Sequence, residues 1–237
     1  MCFIHSPDFI NWREMSLNTL LTGRRGWAVF WGSGLLAILA AFALDGPVNE
    51  ALYRPAHDGV WTTARALSKY GDWPPILLAG LVTVATLAAV RQTALARLLA
   101  LILAVGLLTG FAATIIRSTT GRTRPLAAAP QGFYGVRYQG RWIVGKYEFG
   151  SFPSGHTAVW AGLAGAAWFR WRRLALVFLA AGVAVAWSRI ALGCHHFSDV
   201  TAAMVWGVGV AAWGQSLLAP GQSPKSFEVR LPAPPPK

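Results

Sequence analysis

Apolar residues fall in six stretches, 26–44, 74–90, 98–116, 153–169, 174–192 and 200–219. Each is close to the ~20 residues that a helix needs to cross ~30 Å of hydrocarbon. None carries the polar face that a surface helix of a soluble protein shows. The pattern predicts an all-α, polytopic membrane protein with six transmembrane helices. The fourth stretch is short and the fifth contains Arg189. Gly106 and Gly110 form a GxxxG pair in the third, which reads as helix packing. The chain divides into an N-terminal cytoplasmic segment, 1–25, a membrane domain, 26–219, and a Pro-rich tail, 220–237. The tail ends in PAPPPK and is expected to be a disordered cytoplasmic extension.

Charge placement orients the bundle. Arg91 and Arg97 flank the link between the second and third spans, and Arg170, Arg172 and Arg173 crowd the link between the fourth and fifth. Arg13, Arg24 and Arg25 precede the first span; Lys225, Arg230 and Lys237 follow the last. Alternating spans put all of these on one side, which the positive-inside rule makes cytoplasmic. The other side then holds the two longer connections, 45–73 and 118–152. The second, with its run GFYGVRYQGRWIVGKYEFG, is expected to form a short hairpin or interfacial elements at headgroup level.

Composition agrees with this layout. Of 237 residues, 54% are hydrophobic and only 13% charged, and the mean hydropathy is +0.44, too apolar for an ordinary soluble domain. The net charge of +12 does not form a stripe on a polar surface. It lies between apolar runs and beside later motifs, which argues against a nucleic-acid partner and for anionic lipid or phosphate. Cys2 and Cys194 fall on opposite sides of the expected topology, so no disulfide is expected between them. Residues 1–23 lack a short apolar core followed by a small-residue cleavage site, so the first span is expected to serve as the targeting signal.

Three polar clusters sit at span ends, and counting spans brings all three to the extracytoplasmic side, at the ends of spans three to six. They are Arg117-STTGRT-Arg124-Pro125, then Pro153-Ser154-Gly155-His156, then Ser188-Arg189-IALGC-His195-HFS-Asp199. Arg117, Arg124 and Arg189 offer planar donors suited to phosphate oxygens. Ser154 and Gly155 precede a helix whose first amides are free to meet an anion. His195 and Asp199 stand four apart, on one face if the segment is helical, so the carboxylate can hold one ring nitrogen and leave the other nucleophilic. His156, from another helix, can protonate a departing oxygen. Phosphoryl transfer needs charge stabilisation and in-line positioning, and this set supplies both.

These residues resemble the type 2 phosphatidate phosphatase superfamily, which includes bacterial acid phosphatases and vanadium haloperoxidases. The family pattern is K-x6-R-P, P-S-G-H and S-R-x5-H-x3-D. The chain matches it from Arg117 to Asp199, except that Arg117 stands in place of the lysine. The resemblance implies that His195 attacks phosphorus and forms a phosphohistidine, that Asp199 orients it, and that His156 protonates the leaving group. It implies phosphate contacts from Arg117, Arg124, Ser154, Gly155 and Arg189. No metal and no cofactor are expected. The implied protein is a metal-independent membrane lipid phosphatase of a bacterial inner membrane, its site facing the periplasm or cell exterior. Its partners are the bilayer and a lipid phosphate of the polyprenyl diphosphate, phosphatidylglycerophosphate or phosphatidate class. The oligomeric state is left open.

Plainer readings stand beside these. Arg117 alone could be a snorkelling helix-end residue, whereas Arg189 inside an apolar run is functional by default. His196 points elsewhere on a helix and reads as structural. Arg122 reads as either a headgroup contact or a plain loop charge. Trp142 and Tyr147 read as interface anchors rather than substrate selectors. His5 and His57 have no partners at useful spacing. Competing functions are a lipid A phosphatase, a lipid phosphotransferase on the same motifs, a vanadate-dependent peroxidase, which the six apolar spans disfavour, and a non-catalytic lipid-binding protein.

Overall fold

A computed structural model describes residues 24–168 and 171–218. Their seven helices are α1 (Arg24–Leu52), α2 (Gly59–Tyr70), α3 (Trp73–Ala89), α4 (Thr93–Thr120), α5 (Gly155–Trp168), α6 (Arg172–Ala191) and α7 (Phe197–Leu218). The connection after α4 holds a small antiparallel hairpin, β1 (Arg137–Tyr138) and β2 (Arg141–Trp142), and a 3-10 turn at Tyr147–Phe149. Cys2, His5 and the expected tail lie outside the described residues.

The short helix α5 is the axis of the bundle and packs against α4, α6 and α7, while α1 lies on α7, α3 on α4 and α2 on α6. Its sequence explains this place. Most of the positions from Ala158 to Ala167 are alanine or glycine, and Ala158, Ala161, Ala164, Ala166 and Ala167 are almost fully buried. Small residues let backbones approach where lipid supplies no hydrophobic drive between helices. Gly110 of α4 shows how close: a methyl group there would stand 2.3 Å from Val159 Cγ2. Gly207 of α7 meets α5 similarly, 2.5 Å from Ala161 Cβ and 2.8 Å from the Ala158 carbonyl. Thr109 adds a polar tie, donating to the carbonyls of Gly106 (2.7 Å) and Ala158 (3.0 Å).

The outer helices present the opposite surface. Val29, Leu36 and Leu39 on α1, Leu78 and Val82 on α3, and Val177 on α6 are more than half exposed. A contiguous apolar exterior of this kind calls for a bilayer as solvent.

By length and composition, three of the described helices are long and apolar enough to cross a membrane, Arg25–Leu52, Thr93–Thr120 and Arg172–Ala191. A fourth is added if α2 and α3, bent by 56° at their junction, are taken together. The helix α2 falls in the segment that the apolar pattern treated as a connection. It carries Arg65 and Lys69 among its apolar residues, which hid it from a search for apolar runs. Asp58 caps it by accepting from Val60 N at 2.8 Å, and Asp72 caps α3 by accepting from Trp73 N at 2.8 Å. The first helix also runs on past residue 44, through Asp45 and Asn49, and this extension reaches the site.

Candidate active site

Seven helix ends meet at one end of the bundle: the C-terminal ends of α1, α2, α4 and α6 and the N-terminal ends of α3, α5 and α7. Three local devices turn the chain there. Gly121, with φ +59°, ends α4 in the left-handed region. A Cβ on Gly121 would lie 2.0 Å from the Gly135 carbonyl, because residues 120–123 pair back with 132–135. Gly193, with φ +63°, ends α6, and the Arg189 carbonyl then accepts from Cys194 N (2.9 Å) and His195 N (3.2 Å), folding the His195 loop over the helix end. Asp199, in the first turn of α7, reaches back to accept from His196 N at 2.7 Å, the acidic half of a capping box.

His195 is fully buried. Its Nδ1 lies 2.7 Å from the Ser151 carbonyl and 3.5 Å from Asp199 Oδ2. A carbonyl only accepts, so Nδ1 carries the proton and donates it, which leaves Nε2 as an unprotonated lone pair. Among the described residues Nε2 has no hydrogen-bond partner. Burial is the main force lowering the pKa of His195, to about 3; Arg124 and Arg189 push the same way and Asp199 opposes them. The ring is therefore neutral at pH 7.

This geometry refines the expected division of labour. His195 stands in the loop before α7 rather than on a helix face shared with Asp199, because Gly193 has already ended α6. The tautomer is set chiefly by the Ser151 carbonyl. Asp199 holds the loop: its carboxylate accepts from Arg122 Nη1 (2.5 Å), Ser151 Oγ (2.5 Å) and His196 N (2.7 Å). Ser151 thus touches both members of the pair.

The three expected arginines come together with the two histidines. Arg117, Arg124 and Arg189 all lie within electrostatic reach of His156, and Arg124 and Arg189 within reach of His195. Arg117 Nη1 stands beside Gly155, 3.7 Å from where a Cβ would be. Arg189 donates from Nη1 to Ser68 Oγ, while its buried Nε has no partner among the described residues. Arg124 spends Nε, Nη1 and Nη2 on the carbonyls of Tyr147 (2.7 Å), Cys194 (2.7 Å) and Gly150 (3.0 Å). It also stacks over the Tyr147 ring at 3.8 Å. Its protein contacts make it a brace between loops as well as a positive charge. Ser154 is fully buried, accepts from Thr157 Oγ1 at 3.1 Å, and precedes α5, whose first amides have no partner one turn earlier.

Arg122 has neither of the two roles considered for it. It is buried, donating to Asp45 Oδ2 (2.6 Å), Asp199 Oδ1 and Ser198 Oγ (2.7 Å), with its guanidinium 4.8 Å from the Phe42 ring and 5.0 Å from the Phe133 ring. Asp45 also accepts from Ser198 N at 2.7 Å and so caps α7 from another helix. His196 is structural, as its spacing indicated: it lies 2.9 Å from Asn49 Nδ2 and 3.1 Å from the Thr123 carbonyl. Tyr147, read as an interface anchor, is 64% exposed and also reaches the site loops, its hydroxyl 3.4 Å from Cys194 Sγ.

Sequence reasoning missed Asp45, Ser68, Asp72 and Ser151. One signal was available for two of them. The chain has only nine acidic residues, and Asp45 and Asp72 stand at the ends of apolar runs, where an unpaired carboxylate is costly.

A cavity of about 590 Å³ opens between α3 and α4. Arg117, Gly155, His156 and Asp72 form its polar end, and Trp73, Leu77, Leu107 and Phe111 are among its apolar walls. His195 does not line it.

A bundle of apolar helices that gathers three arginines and two histidines at one end defines a membrane protein with a cationic polar site. The profile of the PAP2 superfamily matches residues 94–219, and the chain belongs to that superfamily. Among solved structures it is similar to the first transmembrane PAP2-type phosphatidylglycerolphosphate phosphatase from Bacillus subtilis. The TM-score is 0.58 and the identity 16%, over 81% of this chain and 94% of that one. No curated protein matches the chain.

Proposed function

We propose that the protein removes phosphate from a membrane lipid through a phosphohistidine on His195. The observation that carries this reading is the state of His195 Nε2, an unprotonated lone pair, buried, unpartnered and surrounded by arginine charge. Arg189 Nε is likewise buried without a partner, and a phosphate oxygen is the natural acceptor for it.

In this mechanism Arg117, Arg124, Arg189, Ser154 and the Gly155 amide hold the phosphoryl oxygens. Nε2 attacks phosphorus as the bond to the lipid oxygen breaks, and His156 gives that oxygen a proton. Water then attacks the phosphohistidine, His156 takes up a proton from it, and inorganic phosphate leaves with Nε2 restored. The arginines supply the charge stabilisation that a loose phosphoryl transition state needs.

The lipid nature of the substrate is supported by the 590 Å³ cavity, polar where it meets His156 and apolar along α3 and α4. We read α1, α3, α4, α5, α6 and α7 as six crossings, with α2 resting at the site end. Arg91, Arg97, Arg172 and Arg173 then lie at the other end, which by the positive-inside rule supports a site outside the cytoplasm, and a bacterial inner membrane is our reading of its home. Phosphatidylglycerophosphate is the first substrate to try, because the similar solved structure is named for that activity. Polyprenyl diphosphate, phosphatidate and lipid A follow.

The test is a phosphate-release screen of purified protein over these four lipids, paired with His195→Gln. The reading expects release from at least one lipid, a loss of about 10³-fold or more in the variant, and acid-labile label on the protein from a ³²P-lipid. Release that persists in His195→Gln would refute it. Label that passes to a second lipid but never to water would make the protein a phosphotransferase.

A further inference from the structure

The general acid assigned above has a carboxylate partner that no motif contains. His156 Nε2 lies 3.3 Å from Asp72 Oδ1, and both residues line the polar end of the 590 Å³ cavity. Asp72 sits at the α2–α3 elbow, 45 positions before Arg117 and outside the matched region 94–219.

The elbow is fastened to the site at three points. Ser68 accepts from Arg189. The Gly71 carbonyl accepts from Trp160 Nε1 at 2.9 Å, and Trp160 stands one turn after His156 on α5. Asp72 meets His156 itself. Gly71 is tightly enclosed, since a Cβ there would lie 2.4 Å from Val185 Cγ2 on α6. The elbow cannot drift from α5 and α6 without breaking this packing.

We propose that Asp72 is a positioning residue for the reaction, holding His156 at Nε2 and leaving the Nδ1 proton for the leaving oxygen. The inference rests on the phosphatase reading and on His156 as its acid. Three cations otherwise face His156: Arg117 from α4, Arg124 from the connection after α4, and Arg189 from α6. Asp72 is the anion that offsets their charge beside the ring. It does so from the polar end of the 590 Å³ cavity. Each histidine of the site thus has an aspartate within 3.5 Å, Asp199 at His195 and Asp72 at His156.

The decisive variant is Asp72→Asn. Asparagine caps a helix as well as aspartate does, so the bond to Trp73 N survives and only the charge is lost. The probes are dodecyl phosphate, whose alkoxide needs a proton to leave, and a dodecyl-substituted nitrophenyl phosphate, whose phenolate leaves without one. kcat/KM on dodecyl phosphate is expected to fall about tenfold or more, part of the 10²–10⁴ that a general acid contributes. On the nitrophenyl ester the fall is expected to stay below about threefold, and Asp72→Glu is expected to recover part of the alkyl activity. An equal loss on both esters, or no loss on either, would overturn the role of Asp72 while leaving the phosphatase reading intact. A wild-type protein that releases phosphate from neither probe nor from any of the four lipids would bring down both.

Discussion

Replacing Arg122 by methionine removes one guanidinium and leaves an apolar side chain of similar length among Phe42, Phe133 and Phe152. The change is therefore mainly electrostatic. Arg122 bridges Asp45 and Asp199 at 2.6 and 2.5 Å, and the side-chain exposures of the three are 8%, 14% and 0%. Removing one partner of a buried ion pair costs about 3–5 kcal/mol, because the other charge stays buried and unpaired. Here two carboxylates are stranded together, although Asp199 keeps its bonds from Ser151 and His196. For a chain of this size each kcal/mol moves the melting temperature by about 2–4 °C, so a fall of about 6–20 °C is expected. Tryptophan fluorescence during heating in detergent reads it directly. Arg122→Lys keeps the charge but cannot span both carboxylates in one plane, and should lie between the two. Adding Asp45→Asn to the methionine variant should recover part of the loss by removing one stranded charge. A methionine variant that melts within about 2 °C of the parent, the smallest shift expected per kcal/mol, would refute the claim that this network holds the His195 loop.

Other outcomes follow from the same geometry. Arg117→Lys, which restores the residue of the family pattern, should keep phosphate release within about threefold, whereas Arg117→Ala should lose about 10²-fold or more in kcat/KM, as for loss of a donor to a charged transition state. His195 has its pKa lowered from 6.5 to about 3, so between these values the unfolded chain binds a proton there that the folded chain does not. Its contribution to stability is present above about pH 6.5 and is lost as pH falls towards 3. Melting curves from about pH 7 down to about pH 4, within that window, should show a steeper decline for the parent than for His195→Gln. Gly121→Ala forces a Cβ into the left-handed region and against the Gly135 carbonyl. It should destabilise by about 1–3 kcal/mol or more, seen as a lower melting temperature; an unchanged one would show that the 118–152 connection can shift freely.

The membrane class, the three motifs and their meeting at one end of the bundle were all legible in the chain of residues. They are legible because spans of near-constant length alternate direction, so counting them sorts every motif to a side. The nearness of His195 and Asp199 was legible for a similar reason, since four positions of chain around a helix start are local geometry. Long-range pairings were not. Ser151 lies 44 positions from His195 and Asp45 lies 153 from Ser198, and no local pattern encodes such contacts. Arg122 was ambiguous because a loop arginine looks the same whether it faces solvent or two buried carboxylates. It took the packed fold to show that the Ser151 carbonyl sets the tautomer of His195, that α1 clamps the loop around His195 through Asp45 and Asn49, and that Asp72 meets His156. The reason is desolvation: a charge or ring nitrogen acquires its role from the partners left to it once water is excluded, and those partners are chosen by long-range packing.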